Sequence, residues 1–173
     1  MNKNLLIAIA ALVVTFALFS STPVRAEDDA HAAADHSAHS ARHPFKTHTL
    51  GVFVGGAADT GELRDNGVAI GFEYEYRFSP SFGMGGVIEH TFGDIDVYVF
   101  GVGFAYHNGP WKMYAAPGIE HSEEGNNGMV RFGVEYGFHV GKWEISPQID
   151  LDFVEREAEV FVVGLVFARG FEL

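Results

Sequence analysis

A chain of 173 residues with 23 acidic against 11 Lys and Arg side chains carries a formal charge of −12. That balance leaves no basic face for nucleic-acid phosphates. The absence of cysteine removes disulfides and thiolate metal sites from consideration.

The first residues read as an export address. Lys3 gives a positive start, Leu5 to Phe19 form an apolar run broken only by Thr15, and Val24-Arg25-Ala26 places small residues where a signal peptidase reads. A secretory signal peptide over residues 1–26, cleaved after Ala26, is expected. An apolar run of about 15 residues is short for a membrane anchor. Cleavage removes Lys3 and Arg25 and leaves nine basic against 23 acidic residues, a formal charge of −14.

Residues 27–47 are polar and alanine-rich, contain Pro44 and lack a sustained apolar period. They read as a flexible periplasmic leader. His31, His36, His39, His43 and His48 are candidate ligands for a divalent metal, with oxygens from Asp28, Asp29 and Asp35. Their irregular spacing fits a soluble spacer better.

From residue 48 onward, apolar and polar residues alternate with period two, the signature of half-buried strands. Eight segments follow in order: His48 to Ala58, Gly67 to Phe78, Phe82 to Phe92, Ile95 to His107, Trp111 to His121, Gly128 to Val140, Trp143 to Val154, and Glu159 to Leu173. Ser79-Pro80-Ser81, Asn108-Gly109-Pro110 and Gly141-Lys142 read as tight turns, and the acidic, amide-rich Ser122 to Asn127 as a loop. A strand tilted about 45° needs about 9–11 residues to cross a bilayer, so these lengths suit a transmembrane meander. Closing it into an eight-stranded antiparallel up-and-down barrel removes the two exposed edges.

Side-chain volume decides which face meets lipid. One face of the second segment carries Val68, Ile70, Phe72, Tyr74, Tyr76 and Phe78, the other Ala69, Gly71, Glu73, Glu75 and Arg77. The seventh sets Trp143, Ile145, Pro147, Ile149, Leu151 and Phe153 against Glu144, Ser146, Gln148, Asp150 and Asp152. An eight-stranded barrel has room for little beyond filling side chains. The bulky aromatic set would crowd that interior, whereas glycines interleaved with charges fit it. Apolar outside and polar inside is the membrane arrangement; a soluble lipocalin-like ligand binder would be the same strands turned inside out.

Tyr76, Phe78, Trp111, Trp143 and Phe171 lie at segment ends, as membrane-interface aromatics do. The tight turns then face the periplasm with the leader. The last segment ends with Phe167, Arg169, Phe171 and Leu173 on its outward face, like the signal that the outer-membrane assembly machinery reads. Arg169 must sit near the headgroups, since a mid-bilayer Arg costs about 2–4 kcal/mol.

Residues 48–173, through "GVAIGFEYEYRFSPSFGMGG", "MYAAPGIEH", "VRFGVEYGFHVGKWEISPQIDLDFVE" and "VVGLVFARGF", resemble the small eight-stranded outer-membrane proteins grouped under a generic outer-membrane β-barrel domain. The resemblance implies an outer-membrane location and contact with outer-membrane lipid and lipopolysaccharide; no cofactor is expected. It specifies a barrel well and a function poorly.

The inward set holds a polar network: Glu73, Glu75, Arg77, Glu89, Lys112, Glu120, Arg131, Glu135, His139, Glu144, Asp150 and Asp152. Buried charges need partners, so a paired plug is the expectation; a narrow path for water, protons or small ions is the alternative. Acids outnumber bases, so some carboxylates must meet water or hold a proton through raised pKa values. His121, Ser122 and Glu123 are the candidate catalytic set of a lipid A deacylase-like enzyme. Adjacent residues on a strand point to opposite faces, which separates the His from the Ser. No enzyme is expected. A structural or interaction role, with outward loops open to an unidentified partner, is the primary reading.

Overall fold

The computed structural model describes residues 46–61, 65–155 and 159–172. The signal peptide, residues 27–45 of the leader, and His31, His36, His39 and His43 lie outside them.

Nine strands form one sheet: β1 (His48–Asp59), β2 (Asn66–Arg77), β3 (Phe82–Gly93), β4 (Val97–Asn108), β5 (Trp111–Ser122), β6 (Gly125–Tyr136), β7 (Phe138–Val140), β8 (Trp143–Val154) and β9 (Val160–Phe171). Sequence neighbours pair antiparallel except β6 and β7, which both pair with β8, and β1 also pairs with β9. The ring therefore closes.

Strands β6 and β7 are one stave of an eight-stave barrel. Glu135↔Gln148 and Phe138↔Ile145 belong to the same register against β8, broken only opposite Ser146 and Pro147. Pro147 has no N–H to offer the ladder, and Gly137 N donates instead to the Pro110 carbonyl at 2.8 Å. The β4–β5 ladder has a similar gap between Gly101↔Gly118 and Phe104↔Ala115, around Pro117.

Most strand limits fall within a residue of the sequence expectation, and two larger departures have a physical cause. β4 begins at Val97 and not Ile95. Gly93 turns the chain at φ +130°, and Ile95 packs onto the buried cluster of Ala57, Ala69, Val160 and Val162. The gain from burying that side chain outweighs two more ladder residues.

The larger correction concerns Ser122 to Asn127. β5 and β6 run on past the expected loop to a two-residue turn at Glu123 and Glu124, pairing Ser122↔Gly125, His121↔Asn126 and Glu120↔Asn127. Gly125 supplies the left-handed conformation (φ +136°) that closes such a turn. The polar composition there reflects exposure beyond the apolar belt, not irregular backbone.

The alternation resolves with the apolar set outward. Phe72, Phe100, Val102, Phe104, Ile119 and Phe132 are exposed, whereas Glu89, Arg131, Asp150 and Asp152 are buried. A soluble barrel inverts this order. Three short connections, with the start of β1 and the end of β9, mark one rim, here called the turn end. The other rim is the loop end, where Thr60 N donates to the Glu159 carbonyl at 2.9 Å and ties two connections together.

Candidate functional site: the charged lumen

The barrel's chemistry lies in its interior. Arg131 projects inward from β6, and its guanidinium meets Glu89 of β3 at 2.9 and 3.1 Å and Asp152 of β8 at 2.7 Å twice. Asp150 stands 3.8 Å away. None of these four residues is more than 2% exposed. β3 and β6 lie three places apart on the ring, so the Arg131–Glu89 fork crosses the lumen. Bidentate geometry of this kind gives the strongest charge-assisted hydrogen bonds.

A second layer lies nearer the turn end. Lys112 of β5 contacts Glu135 of β6 directly and reaches across to Glu73 at 3.5 Å and Glu75 at 3.8 Å on β2. His107 Nε2 meets Glu75 at 2.6 Å. The Tyr114 hydroxyl donates to Asp150 and accepts from Gln148 Nε2 at 2.7 Å, and Gln148 Nε2 also donates to Asp150 at 2.6 Å. The contacts of Lys112 with Glu73 and Glu75, of His107 with Glu75, and of Tyr114 with Gln148 and Asp150 fasten strands that share no backbone ladder.

Glycine makes the room. A Cβ at Gly133 would overlap the Asp150 carboxylate and the Tyr114 ring, and one at Gly83 would overlap the Glu75 carboxylate. The lumen-facing glycines are the spaces into which the long polar side chains fold.

Toward the loop end, apolar side chains join the buried charges. Val99, Met129 and Val154, with Val97, fill one side; Ala57, Ala69, Val160 and Val162, with Ile95, fill the other. Glu120 is buried there as well. The turn-end half instead holds a cavity of about 140 Å³, lined among others by Glu73, Glu75, His107, Lys112, Tyr114 and Glu135. It has room for several waters. The expected surplus of carboxylates over cations is met here, where Glu73 and Glu75 border the cavity and Glu144 is part-exposed at its mouth.

All twelve residues of the expected polar network lie on inward positions, with some in peripheral roles. Arg77 donates to the Pro80 carbonyl in its adjoining turn at 2.5 Å. His139 meets Glu144 at 3.2 Å on the rim, largely in solvent. Three participants escaped the sequence reading. His107 shares the inward parity of Ala105 but falls at the strand end, and Tyr114 is an aromatic of the kind assigned outward. Gln148 has inward parity but is neutral, so an inventory of charges does not contain it.

The catalytic candidates do not converge. His121 faces outward, with Nδ1 2.7 Å from Asn126 Oδ1. Ser122 is still in strand and points inward, its Oγ accepting from Glu124 N at 3.2 Å, and Glu123 lies in the turn. Of the leader histidines, only His48 is described: its ring stacks on Phe171, and Nδ1 lies 2.7 Å from the Tyr74 hydroxyl. Among the described residues, no three His, Asp or Glu side chains are grouped to hold a metal ion.

The interface aromatics gather at the turn end as expected. Tyr76, Phe78, Trp111 and Trp143 are exposed there, Trp111 packs edge-on against Tyr136, and Phe171 stacks on His48. Arg169 sits two residues from the end of β9, 6.0 Å over the Trp143 ring. That is the headgroup position its charge demands.

No family model and no curated protein matches the chain. Solved structures similar to it include the attachment invasion locus protein Ail of Yersinia pestis, crystallised with the heparin analogue sucrose octasulfate (17% identity, 72% of this chain and 96% of that one, TM-score 0.47). Others are the N-terminal β-barrel domain of Pseudomonas aeruginosa OprF (12%, 71% and 97%, 0.49) and Neisserial surface protein A (10%, 72% and 96%, 0.44). The likeness is one of architecture. By its own closed ladder, apolar exterior and charged interior, the chain is an eight-stranded transmembrane β-barrel.

Proposed function

We propose that the chain is an integral outer-membrane protein with a structural or interaction role, its lumen plugged and not conducting. The cross-lumen fork of Arg131 to Glu89 and Asp152 is the observation that carries this reading. A hydrated ion would have to separate a fully buried, doubly bidentate cluster, and breaking such a cluster costs several kcal/mol. The apolar side chains on its loop-end side add a second barrier.

Export, outer-membrane assembly and a periplasmic turn end follow from the signal-peptide reading and the terminal strand's outward aromatics. An interaction role rests on the loop end. Two of its connections are short, the Glu123–Glu124 turn and residues 94–96, so a partner there meets a low acidic rim.

The test is conductance. Full-length mature protein in a planar phospholipid bilayer is expected to be electrically silent at neutral pH. Stepwise currents from the unmodified barrel would overturn the plug and support the reading of a narrow path for small ions.

A further inference from the structure

The walls of the turn-end cavity are unbalanced in charge. Four carboxylates line it, Glu73, Glu75, Glu135 and Glu144, against two permanent cations, Arg77 and Lys112, which leaves a formal charge of −2. Arg77 donates to the Pro80 carbonyl in its own turn. The single Lys112 ammonium serves three carboxylates, two of them only at 3.5 and 3.8 Å. Glu135 is 4% exposed and touches Lys112 through Oε1; among the described residues nothing hydrogen-bonds its Oε2. Glu73 likewise receives no hydrogen bond from a described residue. Buried carboxylate oxygens of this kind call for a donor.

The rest of the wall is of another character. Val87, Ala105, Ala116, Val166 and Ala168 border the same space from β3, β4, β5 and β9. Carboxylates beside short aliphatic side chains suit a ligand that is cationic at its ends and apolar between them.

We infer that this cavity binds a short aliphatic diamine. Its volume of about 140 Å³ equals that of about four or five waters, comparable to a chain of about four methylenes with an amine at each end. One ammonium donates to Glu73 and Glu135 at the inner end. The methylenes lie on the valine and alanine side chains, and the second ammonium meets Glu144, part-exposed at the mouth. Two positive charges cancel the −2 of the walls, which a monoamine does only by half. A metal dication needs several converging oxygen ligands, and among the described residues no three His, Asp or Glu side chains are grouped to supply them. The inference goes beyond the plug reading and needs only the closed barrel, because the cavity opens at the turn end.

The experiment is calorimetric titration of folded full-length mature barrel in detergent micelles with putrescine, butylamine or magnesium chloride, in about 0.15 M salt to screen exposed charges. Putrescine is expected to bind once per barrel, about tenfold more tightly than butylamine for the added charged contact, and magnesium to give no binding. Glu73→Gln removes an inner acceptor and Ala105→Leu fills the cavity without changing its charge. Each is expected to weaken putrescine about tenfold, with folding shown by heat-dependent gel mobility. Asp94→Asn at the opposite rim is the control and should leave binding unchanged. Absence of putrescine binding to the unmodified barrel would overturn the site and leave the cavity to water. Magnesium or butylamine binding as tightly would overturn the diamine assignment. Unchanged affinity in a folded Ala105→Leu or Glu73→Gln barrel would overturn the placement in this cavity.

Discussion

Replacing Arg131 with methionine is expected to cost the barrel about 3–5 kcal/mol. The guanidinium is fully buried and is, among the described residues, the hydrogen-bonding partner of both Glu89 and Asp152. Methionine fills much of the same volume but leaves two carboxylates in a water-poor interior. Their desolvation, and not the lost contacts, dominates the cost.

Two comparisons separate this cause from simple repacking. Urea titration of folded barrel, read by heat-dependent gel mobility, should place Arg131→Met far below the wild type. The triple variant Arg131→Met/Glu89→Gln/Asp152→Asn should recover much of the loss, because no uncompensated charge remains. A single variant as stable as wild type would mean that the fork contributes nothing to holding the lumen shut.

The second large effect belongs to the outer face. Val102 lies midway along β4 and is 63% exposed. Val102→Arg is expected to destabilise the barrel in a phospholipid bilayer by about 2–4 kcal/mol, the cost of an arginine at the midplane. Arg169 shows the permitted place for the same side chain, at the turn-end rim over Trp143. Equilibrium refolding into vesicles measures the difference. A cost near zero would mean that Val102 faces water.

Much of this was legible because a barrel strand has a period of two and a lumen too narrow for ambiguity. The charge on Glu73, Glu75, Arg131 and Asp150 marked the inward parity, and bulk on Phe72, Phe100 and Phe132 marked the outward one. Pairing was not legible. That Arg131 should fork onto Glu89, while Lys112 gathers Glu73, Glu75 and Glu135, depends on which staves stand opposite one another once the ring closes. No local pattern encodes that.

Aromatic residues were the other blind spot. Tyr114 and Phe53 are inward despite their bulk. The Phe53 ring rests over Gly55 and Gly164, and a Cβ at either would overlap it. Parity with Lys112 and Glu120 is the signal that points Tyr114 inward, and paired glycines on neighbouring strands are the signal for Phe53. At Ser122 to Asn127, polar composition reads as a loop because it reports solvent exposure, and a strand that projects beyond the bilayer is exposed too.

The most direct test of the central claim is the behaviour of the native protein in a fractionated envelope. Outer-membrane material run on SDS gels with and without boiling should contain the chain, and it should change mobility only when heated, as a closed barrel that resists SDS does. Recovery of the chain in the soluble periplasmic fraction, with one mobility at either temperature, would contradict the account.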